Sequence, residues 1–468
     1  MTLIIPGVEV KVVKDVLAPQ LAPSGVLGLV GLTENLPPGG LARAASWNAL
    51  VEAFGPATAF SLPEAAQALA GGVFELVVSA VDGGTAAAAN VVIPADGAAG
   101  NAFTLKARAR GTWANGLAVS IAVREVPGDG AGDPADKVKV FDLTVQRPGG
   151  SDVETHRNLS IDPKNVRYVI DVLARQSQIV MVQENKVKLP KAVPAVPATT
   201  LAGGVDAGRT DYQAALARLV NESDVDMVLM SVQDTSNLGR LAQIYADMVA
   251  HCERMSALSQ GRVGFAGVPG ATVAAIRTNA ATLANSLVSD RLVLVAPAGV
   301  TGAVAGMVGS LDYFQSPTFK RLAVGGVDPA IGVEAQQELL QLHVVPAITQ
   351  RGRGVIVLRG LTSDGDQISV RRVADRAVRG VKAISELFIG RLNNELGRGA
   401  LKQNLVASLV QMEKDGAIVP STDGKDPAFK VNVYSSQTDF AQGIVRVDMA
   451  VRPVRAIDYI YATVLVQV

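Results

Sequence analysis

Apolar residues in this chain come in strand-length runs that alternate with helical spacings, and the alternation is interrupted once. Residues 26–32 are uninterruptedly apolar, and the turn residues Pro37-Pro38-Gly39-Gly40 follow. Helix-like stretches at 46–54 and 62–69 then lead through Gly71-Gly72 into a second strand-length run at 73–81. The same grammar resumes near Tyr212, with a helix to about residue 220 and strands at 227–232, 263–268 and 292–295 separated by helices, the first of them 238–255. Continuous rather than alternating apolar strands, each followed by a helix, predict a mainly parallel sheet covered on both faces.

Between residues 88 and 203 the character changes. Alternating segments at 103–107, 117–123 and 138–145 are separated by turn-rich stretches such as Pro127-Gly-Asp-Gly-Ala-Gly-Asp-Pro134 and Pro148-Gly-Gly150. This predicts an antiparallel β domain inserted into the α/β one. From about residue 363 a long helical stretch at 370–392, a second at 401–414 and closing strands predict an α+β segment. The expected organisation is an arm and linker at 1–24, an α/β middle domain from 25–87 plus 204–362, the β-rich insertion at 88–203, and a C-terminal α+β domain at 363–468.

Both ends read as strands. Val8, Val10 and Val12 alternate with Glu9 and Lys11, preceded by Leu3 and Ile5, and residues 459–468 carry no charge, with Ile460, Ala462, Val464 and Val466 at alternate positions. Termini ordinarily fray, and an unpaired apolar strand invites association, so the expected partner of each end is a sheet in a neighbouring copy.

The chain has 468 residues, 49% of them hydrophobic, enough for several cores and against disorder. Lys plus Arg and Asp plus Glu both number 43, so no net field points to nucleic acid. One cysteine, Cys252, rules out a disulfide framework and reads as a small buried hydrophobe. The opening MTLIIPGVEV lacks the basic and apolar regions of a secretory signal, so the triplets at Asn158 and Asn221 carry little meaning as glycosylation sites. The longest uncharged run, 292–311, contains Pro297 and Gly299, Gly302, Gly306 and Gly309, and is read as a buried strand plus a small-residue helix rather than a membrane span.

Catalytic patterns are weak. His156, His251 and His343 are far apart, no HExxH, GxSxG or phosphate-loop spacing occurs, and Gly424-Lys425 is followed by Asp426. Gly25, Gly28 and Gly31 have the wrong spacing for a dinucleotide loop and lie inside a strand. The loop 129–136 is read as a polar turn rather than a calcium site. Neither a cofactor nor a metal is expected.

Several segments, in order along nearly the whole chain, resemble the contractile sheath proteins of phage tails and related contractile injection systems. They are Pro6-Gly7-Val8, Gly111-Thr-Trp113-Ala-Asn115-Gly116, Leu201-Ala-Gly203-Gly204-Val-Asp206 before the Asp211-Tyr212 helix, Val295-Ala-Pro297, the Arg371-Arg372 helix with Phe388-Ile389-Gly390, and Pro453-Val454. Glu9 departs from the tyrosine many members carry after the opening, and Ala207 stands where a Gly-Gly-x-Asp-Gly turn is common. The resemblance implies a structural subunit, not an enzyme, assembled as six-membered rings stacked around an inner tube that contraction drives through a target envelope. It implies self-association through terminal strands donated into the C-terminal domains of neighbours, with tube, baseplate and tail terminator proteins as partners and neither nucleic acid nor membrane insertion. The particle would be a virion tail or an extracellular contractile device assembled in the bacterial host cytoplasm.

On that reading Leu3, Ile5, Val8, Val10 and Val12 form one donated strand, with residues 14–24 as its linker, and Ile460, Ala462, Val464 and Val466 belong to the other. The receiving strand lies within 443–452, with Val445, Val447, Met449 and Val451 on one face. Sheath proteins are held on their tube largely by a helix of this domain, so Arg371, Arg372, Arg376, Arg379 and Lys382, in a stretch 371–402 with eight basic and three acidic side chains, are expected to form a basic face that meets acidic patches on the tube. The alternative is a solvated face with local ion pairs to Asp375 and Glu386. The competing reading is a nucleotide- or sugar-binding α/β enzyme with an inserted β domain, its ligand at the carboxyl ends of the strands. A shell or adhesin repeat protein is disfavoured because no internal repeat is found.

Overall fold

The structure, a computed structural model, describes residues 21, 23–96, 100–127, 137–147, 152–183 and 193–462. The wholly buried strand β1 (Val26–Gly31) leads to a short edge strand β2 (Leu41–Ala44). Three helices follow, α1 (Trp47–Phe54), α2 (Thr58–Ser61) and α3 (Pro63–Gly71), and then strand β3 (Glu75–Ala80). Ser46 caps α1 by accepting from the Ala49 amide, and Pro63 starts α3 where a missing N–H costs nothing.

The insertion contributes β4 (Asn90–Pro94), β5 (Asn101–Ala107), β6 (Ala118–Pro127), β7 (Lys137–Gln146), β8 (Asp152–Leu159), α4 (Val169–Gln176), β9 (Val180–Gln183) and β10 (Val196–Thr200). They form two antiparallel sheets, β10-β6-β7-β8 and β4-β5-β9. Phe103 and Phe141 stack inside their common core at 6.3 Å between centroids.

The α/β pattern then resumes with α5 (Arg209–Arg218), β11 (Met227–Met230), α6 (Leu238–Ala257), β12 (Val263–Gly267), α7 (Val273–Ser286), β13 (Leu292–Ala296), α8 (Thr301–Ser310), α9 (Val333–Gln341), β14 (Val345–Gln350) and β15 (Gly354–Val357). Both halves build one eight-stranded sheet in the order β15-β14-β13-β12-β11-β1-β3-β2, parallel except at its two edges. Every residue of β1, β11, β12 and β13 is buried, because helices cover both faces. Tyr212, Leu241, Ile276 and Leu339 pack on one face, and Leu50, Phe54, Leu62 and Val304 on the other.

Helix α8 is the small-residue helix expected inside the uncharged run. It packs on α3 so closely that a Cβ on Gly306 would lie 2.4 Å from the Ala68 carbonyl oxygen, and one on Gly302 would lie 2.5 Å from the Glu64 Cα. Among the described residues no helix is long and apolar enough to cross a membrane.

The last segment comprises α10 (Ile368–Glu386), α11 (Glu395–Lys414), β16 (Phe429–Tyr434), α12 (Gln437–Ala441) and β17 (Arg446–Val451). Helix α10 ends six residues before the expected 392, because the chain turns at Gly390 with φ 81°. Helix α11 starts six residues before the expected 401, at the Asn394 cap, which accepts from the Gly397 amide.

Gly306→Val should cost about 1–3 kcal/mol or more, since a branched side chain must enter backbone-to-backbone contact. Thermal unfolding followed by circular dichroism would show the lower melting temperature, and a surface glycine such as Gly332, which has open space around it, gives the control.

Candidate functional site

A ligand of an α/β sheet sits where the strand order reverses, outside the carboxyl ends of neighbouring strands. Here that place is next to β1 and β11, and the root of the insertion fills it. Arg108 Nε donates to Glu34 Oε1 at 2.7 Å, just past β1, and Arg110 Nη1 donates to the Gly83 carbonyl at 2.9 Å, just past β3. Past β11, Gln233 Oε1 accepts from the Trp113 amide at 3.1 Å while its Nε2 donates to the Ser61 carbonyl at 2.8 Å. Trp113 stacks on Phe60 at 5.8 Å. Gly111, at φ +113°, must be glycine, since a Cβ there would lie 2.0 Å from Gln233 Oε1.

The returning strand closes the root. Asn115 Nδ2 donates to the Gly204 carbonyl, and Asn115 Oδ1 accepts from the Gly204 amide, both at 2.9 Å. The buried Asp206 accepts from the Tyr212 hydroxyl at 2.9 Å, the Asp234 amide at 2.9 Å and Arg240 Nη2 at 3.1 Å. The two glycine-containing motifs read from the sequence are therefore the two sides of one joint. The crevice that the enzyme reading needs is occupied by protein.

The expected basic face of α10 turns inward. Arg372 is buried, and its Nη1 donates to the Val308 carbonyl at 2.9 Å at the end of α8. Arg379 donates to the carbonyls of Ser223, Val225 and Gly261 at 2.7, 2.6 and 3.0 Å, and Lys382 to that of Leu258 at 3.1 Å. Arg371 pairs with Asp290 and Asp375, and Arg376 lies over the Tyr313 ring at 5.7 Å. These five side chains are thus not an exposed face. The physical reason is that α10 lies along loops of the α/β layer that present unpaired carbonyls, and arginine supplies several donors to such acceptors.

Beneath this layer the buried Asp375 takes two donors from Arg291, Nη1 to Oδ2 and Nη2 to Oδ1, each at 2.9 Å. Nearby the fully buried Arg262 faces His251, with 2.8 Å between Nη1 and Nε2. Burial and the arginine push His251 down to about 3, so its ring is neutral and its Nε2 accepts. A cavity of about 430 Å³ lies between α10 and the α/β layer, lined by Asp226, Arg376 and Arg379 and by Leu21 and Pro23 of the incoming chain.

The expected receiving strand is β17. Among the described residues it pairs with β16 alone, from Phe429↔Val451 to Tyr434↔Arg446. Val445 precedes it, and Val445, Val447, Met449 and Val451 are half-buried on α10 and α11 through Ile384, Leu401, Leu405 and Leu409, while Arg446, Asp448 and Ala450 face solvent. A second cavity, of about 280 Å³, opens beside Val445 and Val447 and is walled by Phe388, Ile389, Leu392 and Leu401. Ile389 and Leu392 are about four-fifths exposed. Leu3, Ile5, Val8, Val10, Val12, Val464 and Val466 lie outside the described residues, and Ile460 and Ala462 are exposed and lie in none of the strands among the described residues. Sequence reasoning passed over Thr318, Arg359, Gln367 and Asp458, which meet where the chain leaves the body. The available signal was that Asp458 is the one charge in residues 456–468.

Arg372→Glu should cost about 3–5 kcal/mol by leaving carbonyls and a carboxylate facing each other in a buried place, and it should lower the melting temperature rather than act as a silent surface change. The depressed His251 has a defined pH signature. The folded state resists protonation, so its contribution is complete above the unfolded value near 6.5 and is lost as pH falls from there towards 3, at up to about 1.4 kcal/mol per pH unit. Denaturant titrations between pH 7 and 4.5 should show a shallower slope for His251→Gln than for the parent.

Residues 206–363 match the family model of the phage tail sheath protein central domain, and residues 362–467 match that of the phage tail sheath C-terminal domain. The fold is similar to the helical sheath of the anti-feeding prophage in its contracted state, with TM-score 0.54 and 14% identity over 99% of each chain. It is also similar to the sheath tail protein of Listeria innocua, with TM-score 0.51 and 16% identity over 94% of each chain. The sheath tail protein of Desulfitobacterium hafniense gives TM-score 0.50 and 14% identity over 96% of this chain and 100% of that one. No curated protein sequence matches. It shares a mixed α/β fold with these solved sheaths, and with family models covering more than half of its length the chain belongs to the phage tail sheath proteins, a structural and non-enzymatic family.

Proposed function

We propose that this chain is the subunit of a sheath that polymerises as stacked hexameric rings around an inner tube and contracts to drive that tube through a target cell envelope. The observation that carries the reading is the β16–β17 ribbon. A two-stranded sheet is marginal by itself, and this one has an apolar face half-covered by α10 and α11 beside an apolar cavity. Leu3, Ile5, Val8, Val10 and Val12 from one neighbour, and the Ile460, Ala462, Val464 and Val466 arm from another, would complete it as added strands. Main-chain ladders of this kind hold subunits together while their other contacts are exchanged.

The domains take their roles from this. Residues 1–24 are the arm and linker, and 25–87 with 204–362 the rigid middle. Residues 88–203 are an outer domain, and 363–468 are the inner assembly domain, completed by donated strands. Arg371, Arg372, Arg376, Arg379 and Lys382 are engaged within their own chain, so the tube contact is assigned to the outward side of the same region. There Arg391 and Lys402, from the same basic stretch, remain exposed. Such contacts are individually weak and screened by salt, which suits a grip that releases ring by ring. Tube, baseplate and tail terminator proteins are the expected partners. The particle is a virion tail or an extracellular contractile device assembled in the host cytoplasm.

Negative-stain electron microscopy of the protein alone and with its tube protein tests the reading. Hollow striated cylinders are expected, and compact particles in both samples would overturn it. Removing residues 1–14 should abolish ordered cylinders while the melting temperature stays within about 2 °C, as expected if these residues serve a neighbour's sheet and not their own subunit. Normal cylinders from that variant would refute N-terminal strand donation.

A further inference from the structure

The chain stays bound to its own body for several residues after β17. Pro453 bridges to Ile418, and Arg455 Nη1 pairs with Asp366 at 2.7 Å. The Ala456 amide then donates to Gln367 Oε1 at 2.9 Å, and the Ala456 carbonyl accepts from Gln367 Nε2 at 3.1 Å. A side-chain amide thereby takes the place of a strand partner. Two residues on, the Asp458 carboxylate accepts from Arg359 Nε at 2.9 Å, Gln367 Nε2 at 2.9 Å and Thr318 Oγ1 at 3.4 Å. The Arg359 guanidinium lies 5.2 Å from the centre of the Tyr459 ring. Immediately beyond, Ile460 and Tyr461 are 84% and 95% exposed.

Apolar burial does not hold this segment, because Ile457 is 79% and Tyr459 63% exposed. What holds it is a carboxylate only 7% exposed, met by Thr318 and Arg359 of the α/β body and by Gln367 at the start of α10. Burying such a pair contributes little net stability, since desolvation offsets the attraction. Its effect is geometric, fixing one direction for a segment that would otherwise fray.

We propose that Asp458, with Thr318, Arg359 and Gln367, is a clasp that sets where and in which direction the C-terminal arm leaves the subunit to reach a second copy of this chain. The inference rests on the reading of residues 459–468 as a donated arm. The clasp anchors the arm to Thr318 and Arg359 of the α/β body and to Gln367 at the start of α10, so pull exerted by the neighbour is borne by these three residues and not by the ribbon. A free arm would search a wide volume and cost ordering entropy on capture, and a clasped one is partly preorganised.

The test measures the protein concentration at which the full chain forms sedimentable cylinders, with the melting temperature of each sample taken alongside. Gln367→Ala and Asp458→Ala are expected to raise that concentration about tenfold or more, as loss of charge-assisted hydrogen bonds implies, with the melting temperature within about 2 °C of the parent. Gln367→Ala keeps the Arg359–Asp458 pair and decides the matter if Asp458→Ala fails to fold. An unchanged concentration overturns the clasp, and so does a rise seen only together with a matching fall in melting temperature. A variant ending at Ala462 separates the two ideas. If it assembles as the parent does, the arm reading falls; if it fails while both clasp variants assemble normally, the clasp alone falls.

Discussion

The buried carboxylate of Asp375 fixes how the C-terminal segment sits on the rest of the molecule. It belongs to α10 and takes two donors from Arg291, just ahead of β13, and one from Arg371, one turn earlier on its own helix. The approach is so close that a Cβ on Gly261, ahead of β12, would lie 2.3 Å from Asp375 Oδ1. An ion pair of this kind specifies one arrangement, since any slip of α10 leaves a charge buried without its partner. Arg372 and Arg379 extend the constraint along the helix by donating to carbonyls of the α/β layer. The ribbon and the departing chain are therefore presented from one fixed base.

The same economy explains the insertion. A doubly covered parallel sheet leaves a crevice beside its central strands, and an enzyme would place its ligand there. This chain places Arg108, Arg110 and Trp113 there and meets them with Glu34, the Gly83 carbonyl and Gln233. The α/β architecture is a platform in this protein, and its usual binding position has become the joint on which the inserted β domain is mounted.

How far these features could be read from sequence follows the physics of each. The central strands were legible because burial on both faces leaves uninterrupted apolar runs, as in 26–32 and 292–295. Strand β2 was not, because Leu-Ala-Arg-Ala at a sheet edge has neither a run nor a clean alternation, and α9, β14 and β15 likewise went unassigned. The end of α10 was misread because Phe388 and Leu392 continue the helical spacing of the apolar stripe, while Gly390 in the left-handed region stops the helix. The arginines of α10 were read as exposed because charge is usually solvated. Sequence pattern carries no record of which loop carbonyls lack partners, and those carbonyls turned the side chains inward. The sequence marks Asp458 only as a lone charge; its partners are hidden for a similar reason, since its three donors come from residues 318, 359 and 367 and only the fold brings them together.

The C-terminal ribbon shows why part of this fold is left weak. A hairpin with an apolar face and open edges is a liability in a monomer, prone to pair with any exposed strand. Natural sheets blunt such edges with charge, and β17 does place Arg446 and Asp448 outward, with Arg446 held by Asp439. The apolar side is nevertheless left half-covered, with Ile389 and Leu392 exposed at the mouth of the adjoining cavity. If the body alone had to be stable, adding a third strand from its own chain would cost little. On the proposed reading, leaving the ribbon at two strands ties its completion to another subunit, so the free energy of finishing the fold becomes free energy of assembly, and a bond made in that way is as cooperative as folding itself.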